Sequence, residues 1–206
     1  MQISRTSAHD WGLSWIAAEP AYMQRASYAL ATDGGVWLVD PVDGDGLGDL
    51  IAPLGDVRGV LQLLDRHPRD GAALAARYGV PLLRVPFTGI PGTPFSVIRV
   101  ANRPWWREAA LWWPRHRALI GPEALGTVGY FCAPGAALGV HPLLRVVPPR
   151  MLGGLDPFHL LPGHGEPLSG DDVAGAIEET LRRSRRDIPR VLKAMAARRA
   201  TRDGDG

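Results

Sequence analysis

Leu161-Pro162-Gly163-His164-Gly165-Glu166-Pro167-Leu168 places a histidine between two glycines, just after the apolar run from Phe158 to Leu161 and just before a helix start. Glycine on each side lets the backbone bend sharply and removes side-chain bulk beside the imidazole. The stretch reads as the end of a buried strand that presents a ring at a sheet edge, where a ligand or metal ion can reach it. Ser169 reads as the cap of the helix that follows, from Gly170 to Arg186. Asp171 and Asp172 lie in its first turn and Arg182, Arg183, Arg185 and Arg186 at its far end, an order that suits the helix dipole.

Upstream, Tyr28 to Asp40 predicts a β-hairpin about the Asp33-Gly34-Gly35 turn, with Pro41 ending its second strand. Leu47 to Leu54 predicts a short helix, Val57 to Leu64 a buried strand, Gly71 to Tyr78 an Ala-rich helix and Val80 to Val85 another strand. Strand and helix alternate from Gly35 to Val85, which implies parallel pairing there. Phe95–Val100, Glu108–Trp113 and His116–Ile120 predict three more strands. Pro134 to Arg145, rich in Gly and Pro, reads as irregular or helical around Leu138. Pro148 to Leu155 reads as a short helix.

The 206 residues, 46% hydrophobic, suffice for one domain over 1–200 with a real core. Residues 187–200 form a basic C-terminal helix beginning at Pro189, and 201–206 read as a disordered tail. Every apolar run is interrupted by Gly, Pro or charge, so no membrane span and no membrane partner is expected. Met1 to Asp10 lacks a basic-then-apolar leader pattern, and the single Cys132 excludes an intramolecular disulfide. The expectation is a cytoplasmic protein. The net charge of +2 hides an arginine-rich C-terminus that reads as a solvated face. Without interleaved aromatic residues it gives no nucleic-acid platform; a small-molecule partner and a homodimer are the expectations instead.

Two constellations carry chemistry. Leu63-Leu64-Asp65-Arg66-His67-Pro68-Arg69-Asp70-Gly71 runs from the end of a buried strand into a helix, the edge at which α/β sheets gather ligands. Asp70 is placed to cap that helix, and His67 to bond a loop carbonyl. The second is Trp105-Trp106-Arg107-Glu108 with Trp112-Trp113. Strand alternation sends Trp112 and Trp113 to opposite faces, while Trp105 and Trp106, after Pro104, are placed to wall a substrate pocket or a dimer surface. Asp40 reads as a loop anchor and Asp43-Gly44-Asp45 as an ordinary turn; His116, His141 and His159 sit in weak contexts, His116 in an exposed turn and His159 as a satisfied strand residue.

The hairpin ending in Val39-Asp40-Pro41, the polar 63–70 loop with its Ala-rich helix, Ala118-Leu119-Ile120-Gly121-Pro122 and Leu161-Pro162-Gly163-His164-Gly165 stand in an order that resembles the metallo-β-lactamase superfamily, from about Tyr28 to Arg186. The resemblance implies a four-layer αββα sandwich of two mixed sheets with the site at one edge. It also implies a His-x-His-x-Asp-His loop, two later histidines and a bridging aspartate around one or two ions that activate water against an ester, amide, thioester or phosphoester.

This chain departs from that pattern. With His67 as the second loop histidine, Asp65, His67, Arg69 and Asp70 stand at the ligand positions; with Asp70 as the loop aspartate, they are Arg66, Pro68, Asp70 and Gly71. We favour the second, because the helix then begins where it should. Pro91-Gly92-Thr93-Pro94 resembles the middle turn without its histidine, and Pro122 stands at the bridging position with Glu123 beside it. The metal set implied is therefore His67, Asp70 and His164, at or below the minimum for a catalytic ion. Arg66 or Arg69 adds a fixed positive charge. The expectation is a degenerate member without a binuclear centre and with no cofactor, binding a ligand in the old cleft. If it still hydrolyses, Asp70 and His164 are the catalytic residues, Arg107 and Trp106 meet substrate, and the cofactor is zinc, iron or manganese. The alternatives are a mononuclear hydrolase of an ester, thioester or phosphoester, completed by Asp65, His67 or Glu123, and a partner-binding subunit that uses the tryptophan loop and basic tail.

Overall fold

The computed structural model describes residues 2–18 and 24–204. The first half of the chain builds one sheet in sequence order: β1 (Ile3–His9), β2 (Gly12–Ala17), β3 (Ala26–Thr32), β4 (Gly35–Val39), β5 (Val57–Gln62) and β6 (Leu82–Arg84). β3 and β4 form the hairpin expected about Asp33-Gly34. β4, β5 and β6 are parallel, joined through α1 (Leu47–Ile51) and α2 (Gly71–Tyr78). The β1–β2 hairpin is an addition to the sequence reading. β2 is buried along its whole length, so it carries no polar–apolar alternation to announce it.

The second half builds the other sheet, in the order β13-β12-β9-β8-β7. Its strands are β7 (Ser96–Arg103), β8 (Trp106–Trp113), β9 (Ala118–Gly121), β12 (His159–Pro162) and β13 (Leu168–Ser169). β10 (Leu125–Gly126) and β11 (Gly139–Val140) make a separate two-stranded ladder, so part of the Gly- and Pro-rich stretch is extended where the sequence suggested irregular or helical chain. α3 (Val173–Arg183) and α4 (Ile188–Gly204) follow. Ser169 does not cap α3. It lies in β13, its hydroxyl 2.7 Å from His159 Nδ1, and Asp172 holds the cap position. α4 runs on to Gly204, so 201–204 are helical rather than irregular: Ala200 and Arg202 are good helix formers and no proline stops the chain. Residues 205–206 of the expected tail lie outside the described residues.

Three apolar clusters define the layers. Between the sheets, Tyr28, Leu30, Trp37, Leu61 and Leu63 meet Ala109, Leu111, Trp113, Ile120 and Leu161. Outside the first sheet, Leu38 and Val60 pack on Leu47, Ile51 and Leu74 of α1 and α2. Outside the second, Ala110, Leu119 and Leu160 pack on Val173, Ile177 and Leu181 of α3. The result is helix, sheet, sheet, helix, the αββα sandwich. Trp112 joins the outer cluster and Trp113 the inner one, as strand alternation requires. Among the described residues no helix is long and apolar enough to cross a membrane.

At one end the sheets are stitched by the backbone. Asp65 N donates to Arg107 O at 3.0 Å and Ala109 N to Leu63 O at 2.9 Å, which continues β5 onto β8. Ala26 N donates to Gly163 O at 2.9 Å, and the buried Tyr28 hydroxyl reaches Pro162 O. At the other end Trp11, in the β1–β2 turn, is ringed by His9, His116, His159 and Trp113, with centroids 4.8–5.5 Å away. The two glycines about His164 are required by space: a Cβ on Gly163 would lie 1.9 Å from Pro122 O, and one on Gly165 2.2 Å from Thr127 Oγ1. Gly163→Ala should therefore force the 121–123 segment away and lower stability by about 1–3 kcal/mol. The midpoint of chemical denaturation measures this, and an unchanged midpoint would show that the segment yields freely.

Candidate metal centre

Strand register delivers the site. β9 and β12 are parallel neighbours, with Gly121 paired to Pro162 and Gly163 N donating to Gly121 O at 3.0 Å. Glu123 and His164 each stand two residues beyond that pair, so they emerge side by side. His67 arrives from the first sheet, on the β5–α2 loop, where its N–H closes a turn onto Leu64 O at 3.0 Å.

The three side chains converge. His67 Nε2 lies 2.7 Å from Glu123 Oε2, His164 Nε2 3.2 Å from the same oxygen, and the two Nε2 atoms are 3.4 Å apart. Ligands about 2.0–2.2 Å from a zinc-sized ion stand roughly 3.0–3.5 Å from one another, so an ion fits this triangle after a small opening of the shortest edge. Glu123 Oε2 is buried yet receives no well-directed hydrogen bond. A buried carboxylate oxygen left so is costly, and a shared cation removes that cost. Two imidazoles and one carboxylate are a donor set used for zinc and for non-haem iron.

The surroundings fix the donors. Leu143 N donates to His141 Nδ1 at 3.2 Å, which leaves the proton of a neutral ring on Nε2, 3.3 Å from Glu123 Oε1. Burial drives the His141 pKa down to about 4, against the pull of Glu123, so the ring is a neutral donor. Burial pushes the Glu123 carboxyl up, but His164 and His67 outweigh it and hold the group ionised, well below the usual carboxylate range. His67 Nδ1 faces Asp40 Oδ2 at 3.7 Å, and Asp40 Oδ1 accepts Leu63 N at 3.0 Å, the loop-anchor role expected of it. Beneath Glu123, the buried Glu108 accepts from Trp106 Nε1 at 2.6 Å, Glu123 N at 3.1 Å and Ala124 N at 2.8 Å. Burial raises its pKa to about 7, the three N–H donors opposing. Arg69 is half-buried beside the site, and its two terminal nitrogens donate to the carbonyls of Ala26, Asp40 and Gly163.

The structure thus brings His67 and His164 together, with Glu123 as the third donor. Asp70 stands outside that donor group but lines the same cavity; its Oδ2 accepts Asp43 N at 2.9 Å rather than capping α2. Arg107 is exposed, with its guanidinium carbon 5.6 Å from the Phe87 ring centre and its backbone N on Asp65 Oδ2. Trp106 is wholly buried. Neither Trp106 nor Arg107 lines the cavity. The placement of His67 corresponds to the register with Asp65, His67, Arg69 and Asp70 at the ligand positions. His141, which stands in a weak sequence context, is part of the site. Its only sequence signal is the following proline, since Pro142 opens the one-turn helix whose Leu143 N–H orients the ring.

No family model matches the sequence, and no curated protein matches it. Solved structures are similar in fold. A di-iron-bound form of TTHA1623 is 20% identical, over 80% of this chain and 96% of that one, with a TM-score of 0.54. The DIM-1 metallo-β-lactamase is 10% identical, over 91% and 99%, with a TM-score of 0.55. Rubredoxin oxygen:oxidoreductase from Desulfovibrio gigas is 13% identical, over 89% of this chain and 61% of that one, with a TM-score of 0.60. The protein has the metallo-β-lactamase fold.

Glu108 gives a pH test. Its folded pKa, about 7, lies above the unfolded value near 4.5, so the folded state binds the extra proton. Its contribution is complete below about pH 4.5 and is lost as pH rises through about 7. In chelator-treated protein, Glu108→Gln should flatten this part of the stability–pH curve relative to wild type. Parallel curves across that window would show that Glu108 titrates normally.

Proposed function

We propose that the protein is a mononuclear metal-dependent hydrolase on a metallo-β-lactamase scaffold that has given up the second ion. The observation that carries this reading is the convergence of His67 Nε2, Glu123 Oε2 and His164 Nε2 on the wall of a cavity of about 1070 Å³. Three protein donors are the usual complement of a catalytic zinc, which keeps a coordination position open. The similar fold of TTHA1623, described as di-iron-bound, supports a metal in this scaffold. A second ion is disfavoured here: in the register that His67 occupies, Arg69 stands at the loop aspartate position, and its buried guanidinium is a permanent positive charge.

When bound, a divalent ion supplies Lewis acidity at the scissile bond. The chain supplies the rest. His141 holds the far oxygen of Glu123 and turns the near one toward the two imidazoles. Asp40 faces the rear nitrogen of His67, the carboxylate–histidine arrangement that orients ligand rings. Asp70, fixed on the cavity wall by Asp43 N, is the group placed to take and return a proton.

Protein purified without chelator should contain about one zinc, iron or manganese per chain by elemental analysis, and Glu123→Gln or His164→Ala should lose it. Metal-free protein whose melting temperature ignores both zinc and chelator would end this reading in favour of a non-catalytic ligand-binding protein. Asp70→Asn should keep its metal and lose about 10²–10⁴ in kcat on whichever p-nitrophenyl ester, thioester or phosphodiester the wild type cleaves. Unchanged kcat would remove Asp70 from the chemistry.

A further inference from the structure

Arg66 is exposed at the cavity mouth, yet it is held in place. Its guanidinium carbon lies 4.1 Å from the centre of the Trp106 ring. Trp106 is itself immobilised, wholly buried with its Nε1–H on Glu108. Stacking engages the face of a guanidinium and leaves its N–H edge free. Among the described residues no carboxylate or carbonyl takes that edge: Arg66 has the Trp106 contact and no ion pair or hydrogen bond. Two other arginines of the cavity, which Arg25 also lines, differ. Arg77 is paired with Asp43, and Arg69 is committed to backbone carbonyls.

The neighbours of Arg66 suit an anion. Its charge is felt at both His141 and Tyr130, which line the same part of the cavity. The Tyr130 hydroxyl has no hydrogen-bond partner among the described residues, and burial, the first of its influences, raises its pKa and keeps it a proton donor. Leu143, 64% exposed, adds an apolar wall beside them. Two of the acidic residues of the cavity, Asp43 and Asp70, belong to the Arg77 side, while Glu123 faces His67 and His164.

We infer that Arg66, laid on Trp106, and the Tyr130 hydroxyl form an oxyanion-recognition subsite beside the His67–Glu123–His164 group, so that the substrate is an ester carrying a carboxylate or phosphate next to the scissile bond, with an apolar portion along Leu143. A planar guanidinium edge matches two oxygens of either group. As a statement about substrate, the inference rests on the reading of this cavity as a hydrolase site. The subsite itself needs only Arg66, Trp106 and Tyr130.

The test is calorimetric titration of the full-length protein, as purified and again after chelation, with inorganic phosphate and with acetate. Arg66→Met keeps an unbranched side chain over Trp106 and removes the charge. The expected result is binding of at least one probe before and after chelation, weakened roughly tenfold to hundredfold by Arg66→Met and more modestly by Tyr130→Phe. Tighter phosphate marks a phosphoester, tighter acetate a carboxylate-bearing ester. The inference is overturned if neither probe binds, or if Arg66→Met binds both as wild type does. It is also overturned if binding vanishes on chelation, because the anion then sits on the metal alone; that outcome would leave the hydrolase reading intact. Protein that is already metal-free as purified, whose melting temperature ignores added zinc, and that still binds a probe through Arg66 would end the hydrolase reading and keep the subsite.

Discussion

One buried guanidinium ties the two sheets together at the functional edge. Arg69 donates to Ala26 O at the start of β3, to Asp40 O just past β4 and to Gly163 O in the turn after β12. These carbonyls lie where strands end; Gly163 O also accepts Ala26 N and Asp40 O also accepts Ser27 Oγ, so Arg69 adds a second donor to each of those two and joins all three through one side chain. Burial pulls its pKa down and Asp40 pulls it back, and an arginine keeps its charge through such shifts. The geometry is demanding: Arg69 and Asp40 both adopt positive φ, 40° and 42°, which non-glycine residues rarely do. Such strain persists where surrounding structure over-determines it, and it gathers at functional sites.

The charges around this arginine divide into two settings. Glu108 lies in a nest of N–H donors and no cation, and its carboxyl titrates near neutrality. Glu123, just past the neighbouring β9, faces two imidazoles and stays ionised. The same side chain thus takes a scaffolding part in one place and a donor part in the other, with environment deciding. Their backbones are linked, because Glu108 Oε1 accepts the amides of Glu123 and Ala124. The Glu108 carboxyl therefore sets where the Glu123 carboxylate stands, and His141 sets how it is turned.

The layers were legible because they follow from patterns that local chemistry imposes. Asp33-Gly34 made the hairpin, the alanines of 71–78 made α2, and alternation split Trp112 from Trp113. β1 and β2 were not legible, since full burial of β2 leaves no alternation to read. At the site, His164 announced itself through its glycines, because the need for space beside Pro122 and Thr127 is written directly into residue type. Glu123 was visible only as a neighbour of Pro122; whether it points inward depends on the register of β9 against β12, a property of pairing. His141 acts through a ring orientation that a one-turn helix provides, and in Val-His-Pro-Leu only Pro142 hints at that helix, a residue equally at home in a surface loop. The favoured loop register placed Asp70 inward on the strength of the helix start, whereas in the structure the turn closed by His67 N on Leu64 O precedes the helix and carries His67 there instead.

The donor triangle draws one corner from the first sheet and two from the second, and His164 comes after both sheets but for the short β13, with α3 and α4 still to follow. Neither half of the chain owns a binding site. A fragment cut anywhere between Gly71 and Pro122 would separate His67 from its partners, and a ribosome-bound chain would have no complete site until β12 had emerged and docked beside β9. In the metal-bound form proposed above, capture of an ion would thus follow the docking of β12 rather than seed folding, and occupancy would report that the two sheets had closed on each other.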